Sequence, residues 1–260
     1  MPFVRNDGTK IFYEVEGRGP AIGFHTGGGG DSRIWRFAGY LAGLPEFTCI
    51  LIDQRGRGRS DRPTSPEAHR MEYFASDVRT VLDEVGVEEF AFWGYSNGIL
   101  VGIALGGLEP RRLRGLIGTG ALRLRDLTDL PRPDPEQEIR EAIAQGGVGV
   151  EVDRRMKSEN DRFPDDIDRN VRAGDPLMYA LTGIAWLDWK GPRSVLEHWA
   201  APILMLTGER EDPDHVTEKT VAAIPGASMV RIAGVGHLGV FARSDLVFPH
   251  ARPFLRKVLA

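Results

Sequence analysis

The sequence predicts an α/β fold in which a mainly parallel sheet is covered by helices on both faces and interrupted by one helical insertion. Three observations carry this prediction. Short apolar runs alternate with segments of helical periodicity at both ends of the chain. The apolar runs are unbroken, as in "FTCILID", which is how strands buried on both faces read. Between residues 122 and 199 the alternation lapses into a stretch too long for a plain crossover. The expected organisation is a core formed by residues 1–121 and 200–260, with residues 122–199 inserted as a helical cap.

The elements follow in order. "KIFYEVEG" alternates and closes on Gly-Arg-Gly-Pro, a strand and its turn. "PAIGFH" is a short buried strand that runs into the glycine cluster "TGGGG". Ile34, Trp35, Tyr40, Leu41 and Leu44 have helical spacing, and "FTCILID" is the next strand. Phe74, Val78, Val81, Leu82 and Val85 share a helical face that Gly86 ends. A strand "EFAFWGY", a helix from Asn97 to Leu108 stopped by Pro110, and a strand "LRGLIGTGA" complete the first half. The insertion holds helix-like pieces, "DPEQEIREAIAQGG", "VEVDRRMKSEN" and the aromatic "DPLMYALTGIAWLDW". Alternation then resumes with "PILMLTGE", a helix across Val216–Ile224, the strand "SMVRIAG" and a final helix from Phe241 to Leu259.

Composition narrows the function. The 260 residues are 42% hydrophobic and 27% charged, enough for one large core. The 33 basic residues are offset by 37 acidic ones, so the chain has no nucleic-acid footprint. The single cysteine, Cys49, cannot form an internal disulfide and reads as a small buried hydrophobe. No basic-then-apolar leader opens the sequence, and no apolar stretch approaches the roughly 20 residues of a membrane span. The expectation is a soluble, cytoplasmic protein without a membrane or nucleic-acid partner; the oligomeric state is not readable.

Chemistry concentrates at "GYSNG". Gly94-x-Ser96-x-Gly98 lies where a strand meets a helix, the setting of a nucleophile elbow, a sharp turn that lifts the serine hydroxyl above the carboxyl end of a sheet. A Cβ at either glycine would collide with the neighbouring strand or helix. Serine at neutral pH needs a base. Of six histidines, His25, His69, His198, His215 and His250 read as surface or packing residues, whereas His237 in "IAGVGHLGVF" opens a loop after the last strand, on the same sheet edge as Ser96. The base needs an orienting carboxylate, and "PILMLTGEREDPDH" supplies several in the chain order Ser, Asp/Glu, His.

These residues resemble the α/β-hydrolase fold family, of the compact, capped type, over nearly the whole chain. Besides the elbow and "GVGH", "DQRGRGRSDRP" is similar to the family's D-x-R-G-x-G-x-S run, and "HTGGGGDSRIW" to its His-Gly loop. The resemblance implies an eight-stranded, mostly parallel sheet with a helical cap. It implies an oxyanion hole built from the N–H groups of Asn97 and Gly27, although His25-Thr26 stands where the family has His-Gly. The family spacing from Gly208 points to Glu211 as the acid, while the family's usual Asp-Pro points to Asp212-Pro213; Glu209 and Asp214 stand further out. Asp53 and Arg55 read as holding a loop together by an ion pair and hydrogen bonds.

Serine at the elbow, rather than the aspartate of dehalogenases and epoxide hydrolases of this fold, implies an acyl-enzyme. The resulting expectation is a cofactor-free, metal-free serine hydrolase that cleaves a small carboxylic ester or lactone, with Trp35, Trp186 and Trp189 as candidate substrate-binding residues beside Tyr179. Arg33 is a candidate for meeting a substrate carboxylate. The alternatives are a C–C bond hydrolase or lyase with His237 as the main base, and a non-catalytic ligand-binding member of the fold.

Overall fold

The computed structural model describes residues 2–122, 124, 134–190, 192–212 and 214–260. The carboxylate-rich loop therefore includes one position, Pro213, outside the described residues, and so does part of the expected insertion.

Among the described residues eight strands form one sheet. They are β1 (Phe3–Asn6), β2 (Thr9–Glu16), β3 (Ala21–His25), β4 (Thr48–Ile52), β5 (Phe90–Tyr95), β6 (Leu113–Thr119), β7 (Ile203–Gly208) and β8 (Ala227–Ile232), in the order β1-β2-β4-β3-β5-β6-β7-β8. β1, which the periodicity alone did not single out, forms an antiparallel hairpin with β2, and β2 pairs antiparallel with β4. Every remaining pairing is parallel. The chain steps from β3 to β4 on one side and from β5 onward to the other, so the carboxyl ends of β3 and β5 flank the crevice at which open α/β sheets bind ligands. His25 and Gly94 are paired neighbours at that edge.

The unbroken apolar strands are explained by two cores, one on each face. Along β5, Ala91, Trp93 and Tyr95 enter one cluster while Phe90 and Phe92 enter the other. β4 divides in the same way, Cys49 and Leu51 against Ile50 and Ile52. The period is still two, but both faces are dry. Cys49 is buried, and burial pushes its thiol up to about 12, so it packs rather than reacts.

Helix α1 (Arg33–Phe37) is shorter than its apolar spacing suggests, because the chain turns through Gly39 at φ +79°. α2 (Met71–Val85) buries Phe74, Val78, Val81 and Leu82 and ends on Gly86 at φ +74°, whose N–H closes back onto Leu82 and Asp83. α3 (Gly98–Leu108) follows β5 directly. Between β6 and β7 the structure holds α4 (Pro135–Ala144), α5 (Val148–Glu159), α6 (Asp165–Arg172), α7 (Pro176–Asp188) and α8 (Pro192–Glu197). α9 (Val216–Ala222) precedes β8. The expected final helix is two, α10 (His237–Ala242) and α11 (Ser244–Val258), because Arg243 leaves the helical region at φ −95°, ψ 63°.

The Asp53-to-Ser60 run stitches this frame together by ion pairs and hydrogen bonds, as its residues suggest. Asp53 and Arg55 do not pair with each other. Asp53 accepts from the Ser32 N–H (2.9 Å) and hydroxyl (2.5 Å) and from Arg59. Arg55 forks onto Asp77 of α2 with two contacts of 2.7 Å, both side chains buried. Burial raises the Asp77 pKa, with Arg55 pulling the other way. Removing the cation leaves a carboxylate that burial already disfavours. Arg55→Met should therefore lower the unfolding free energy by about 3–5 kcal/mol, read as a reduced urea midpoint at unchanged slope.

Candidate active site

The turn between β5 and α3 is tight enough to force its own geometry. Ser96 has φ +54°, a left-handed conformation that non-glycine residues rarely adopt. Its N–H donates to Thr119 O of β6 (2.9 Å), which pins the turn to the sheet. An ideal Cβ on Gly94 would lie 2.4 Å from Gly98 C, and one on Gly98 would lie 2.5 Å from His25 O. The first glycine thus makes room for the helix and the second for β3.

Ser96 is half-buried at a cavity of about 560 Å³. Its hydroxyl lies 3.1 Å from His237 Nε2, and His237 Nδ1 lies 2.5 Å from Glu211 Oε2. Glu211 follows β7, His237 opens α10, and Ser96 precedes α3, so three strand-end loops deliver the chain of contacts. Glu211 is otherwise fully engaged: Oε2 accepts from Ala121 N–H (2.8 Å) and Oε1 from Gly208 N–H (2.6 Å). The His237 ring stacks on Tyr95, with centroids 5.1 Å apart, and the Tyr95 hydroxyl donates to His237 O. Burial raises the Tyr95 pKa well above its usual value, so the phenol remains a neutral support for the imidazole.

Asp212 does not reach His237. Its two carboxylate oxygens accept from the Val216 and Thr217 N–H groups, 3.0 Å each, at the start of α9. The family spacing and the family residue type pointed to adjacent positions; the carboxylate meeting His237 is the one that spacing picked.

Gly27 comes against the serine: a Cβ there would lie 2.5 Å from Ser96 Cβ and 3.1 Å from its Oγ. Asn97 lines the cavity at the start of α3. Arg57, buried, donates to Gly27 O and, at 3.2 Å, to Thr182 Oγ1 of α7. Burial lowers its pKa to about 10, leaving it charged at neutral pH, and among the described residues it has no carboxylate partner. His25 is also buried. Burial lowers its pKa to about 4 against the pull of the Thr26 carbonyl, which its Nδ1 contacts, and Arg57 pushes the same way as burial.

Two of the three tryptophans depart from expectation. Trp186 lines the cavity with Tyr179. Trp35 is completely buried among Phe24, Tyr40, Trp93 and Phe241, on the inward face of α1, and is not among the residues lining the cavity. Trp189 ends α7 and packs on the core face beyond the cavity lining. Arg33 forks onto Asp31 at 2.7 and 2.8 Å and faces an adjoining space of about 370 Å³ rather than Ser96. The sequence reading did not single out Glu159, Asp161, Arg155 or Arg57; within charged helical and loop stretches, they resembled solvated residues. Among the described residues no cluster of His, Cys, Asp or Glu is arranged to hold a metal ion, and no helix is long and apolar enough to cross a membrane.

The chain belongs to the alpha/beta hydrolase fold family, whose profile matches residues 20–151. Over 116 residues it is 33% identical to an Azorhizobium caulinodans protein assigned as a carbamate hydrolase, RutD. That match covers 45% of this chain and 43% of the relative, so it spans less than half of either. Among solved structures, Est816, an N-acyl homoserine lactone degrading enzyme, is 26% identical with a TM-score of 0.75, covering 97% of this chain and 100% of that one. A thermophilic esterase from Thermogutta terrifontis shares the fold at a TM-score of 0.80 and 21% identity, covering 99% of this chain and 97% of that one.

The separation of Asp212 from the Ser96–His237–Glu211 chain is testable. Asp212→Ala removes the acceptor for two backbone donors of α9 and should cost about 1–2 kcal/mol, seen as a lower thermal midpoint.

Proposed function

We propose that this chain is a cofactor-free serine hydrolase that cleaves a small, partly apolar carboxylic ester or lactone through an acyl-enzyme on Ser96. The observation that carries the proposal is the continuous contact chain Ser96 Oγ–His237 Nε2–Glu211 Oε2, at 3.1 and 2.5 Å, opening on a cavity.

Each role follows from position. Ser96 Oγ attacks the substrate carbonyl while His237 Nε2 takes its proton. Glu211, accepting from Nδ1–H, holds the imidazole in the tautomer that leaves Nε2 free and stabilises the imidazolium once it forms. The tetrahedral oxyanion falls beside the Gly27 and Asn97 N–H groups, and one such donor contributes on the order of 3 kcal/mol to the transition state. His237 returns the proton to the leaving alkoxide, and water then attacks the ester on Ser96 by the reverse sequence.

The cavity sets the substrate class. Its volume of about 560 Å³ suits a small molecule, and Leu100, Leu122, Val152, Phe163 and Trp186 give it apolar wall. Glu151, Arg154 and Arg155 of α5 make the facing wall polar, so the substrate combines an apolar acyl portion with a polar end. The helices between β6 and β7 act as the cap, since α5 and α7 supply much of this lining. The likeness to the homoserine-lactone degrading enzyme supports including lactones in the class.

The test is intact mass after exposure to a fluorophosphonate. Wild type should gain one adduct, and Ser96→Ala should gain none. Glu211→Gln should cut turnover of a short activated ester by about 10²–10⁴-fold, with the fold retained by circular dichroism. A folded wild type that stays unlabelled, even by a slim probe that the cap could not exclude, would overturn the proposal and favour the lyase or binding alternatives.

A further inference from the structure

The last turn of α5 reaches the loops that carry the proposed base and acid. α5 ends at Glu159, and Asn160 follows in the left-handed region at φ +47°. That reversal presents two carboxylates, Glu159 and Asp161, to the start of α10. Glu159 Oε2 accepts from the His237 N–H at 2.6 Å. Asp161 Oδ2 accepts from the Gly236 N–H at 2.7 Å and the Gly239 N–H at 2.6 Å. The approach depends on the two glycines: a Cβ on Gly236 would lie 2.3 Å from Glu159 Oε2, and one on Gly239 would lie 2.6 Å from both Asp161 carboxylate oxygens.

The same turn also holds the other loop. Arg210, beside Glu211, donates to the carbonyls of Glu159 (3.2 Å) and Asn160 (3.0 Å). Glu159 is buried and its second oxygen accepts from Arg155 at 2.9 Å. Arg155 in turn bonds Glu151 at 2.6 Å. Burial lowers the Arg155 pKa, but Glu151 and Glu159 more than offset it, so the arginine remains a fixed counter-charge.

Resting on the reading of His237 as the proton-transfer group, we propose that Glu159 and Asp161 are positioning residues, by which the cap seats the His237 loop and couples its own placement to the base. The sheet alone does not hold this loop. Three of its backbone donors are satisfied by the last residue of α5 and the turn that follows it, and a displacement of α5 would release them together. Glu159 also adds negative charge on the backbone side of His237, reinforcing Glu211 on the ring side. The other titratable and charged groups around His237 are Ser96, the neutral Tyr95 and Asp161, together with Glu151, Arg154, Arg155 and Arg210, which line the same cavity.

The experiment compares wild type with Glu159→Gln and Asp161→Asn, each checked for folding by circular dichroism. Backbone amide exchange at residues 236–239 should be slow in wild type and faster by about tenfold or more in Asp161→Asn. The fluorophosphonate labelling rate of Glu159→Gln at neutral pH should fall by about tenfold. Loss of a negative charge disfavours the imidazolium, so the acid limb of its pH–rate profile should move to lower pH. Unchanged exchange in both folded variants, or a Glu159→Gln profile that overlays wild type in rate and pH, would overturn the proposal. If wild type takes no label, the serine-hydrolase reading fails, and the exchange arm still decides whether the carboxylates hold the loop. If one variant does not fold, the other supplies the exchange result.

Discussion

The left-handed turn at Ser96 is the constraint on which the rest of the site depends. A non-glycine residue at φ +54° carries strain on the order of 1–3 kcal/mol. The strain persists because the turn has no room to relax: β3 presses on Gly98, the start of α3 presses on Gly94, and Thr119 O holds the Ser96 N–H. Two buried cores, one on each face of the sheet, fix β5 and α3 against these contacts. The hydroxyl is consequently presented at a fixed height above the sheet edge, within reach of the His237 imidazole on a different loop.

Buried carboxylates then arrange the loops around that hydroxyl. Asp53, Asp77, Glu159, Glu211 and Asp212 are all buried, and each spends its oxygens on backbone N–H groups, side-chain donors or a partner cation. A buried charge is costly unless paired and hydrogen-bonded, so each one selects one arrangement of its loop. Arg57 is the cationic counterpart. It spends its donors on neutral acceptors, Gly27 O among them. Anchoring Gly27 O fixes the plane of the Gly27–Gly28 peptide and so restrains the glycine loop next to the proposed oxyanion position.

The fold was legible because its signals are local. Period-two burial, the helical face of α2 and the Gly86 stop each depend on a few adjacent residues. The elbow was legible because its serine and two glycines fall within five positions, even though one demand they answer, the approach of β3 to Gly98, comes from far along the chain. β1 was missed because a run of four residues, of which only Val4 is buried, is too short to show a period. Trp35 was misplaced because an aromatic residue near a glycine loop reads the same whether it faces a ligand or the core, although its spacing with Ile34 and Tyr40 already set it on the apolar face. The choice between Glu211 and Asp212 depended on which carboxylate the turn after β7 directs at a histidine 26 positions away in the chain, a tertiary fact. Glu159 and Asp161 were unreadable for a related reason: their partners are backbone N–H groups 75 to 78 positions distant.

That last distance bears on how such a site divides its labour. Ser96 is held wholly by the sheet and its first helix, and Glu211 by the ends of β6 and β7, which make these two the rigid parts. His237 is held on one side by Tyr95 and Glu211 and on the other by the end of α5. A base that must swing a proton between nucleophile and leaving group tolerates less misplacement than a carboxylate that only steadies it. In the proposed mechanism, placing the second restraint at the end of α5 ties the accuracy of proton transfer to the segment that also lines the cavity. Under the proposed mechanism, a change in α5 that reshapes the polar wall also acts on His237, so specificity and rate change together through that helix.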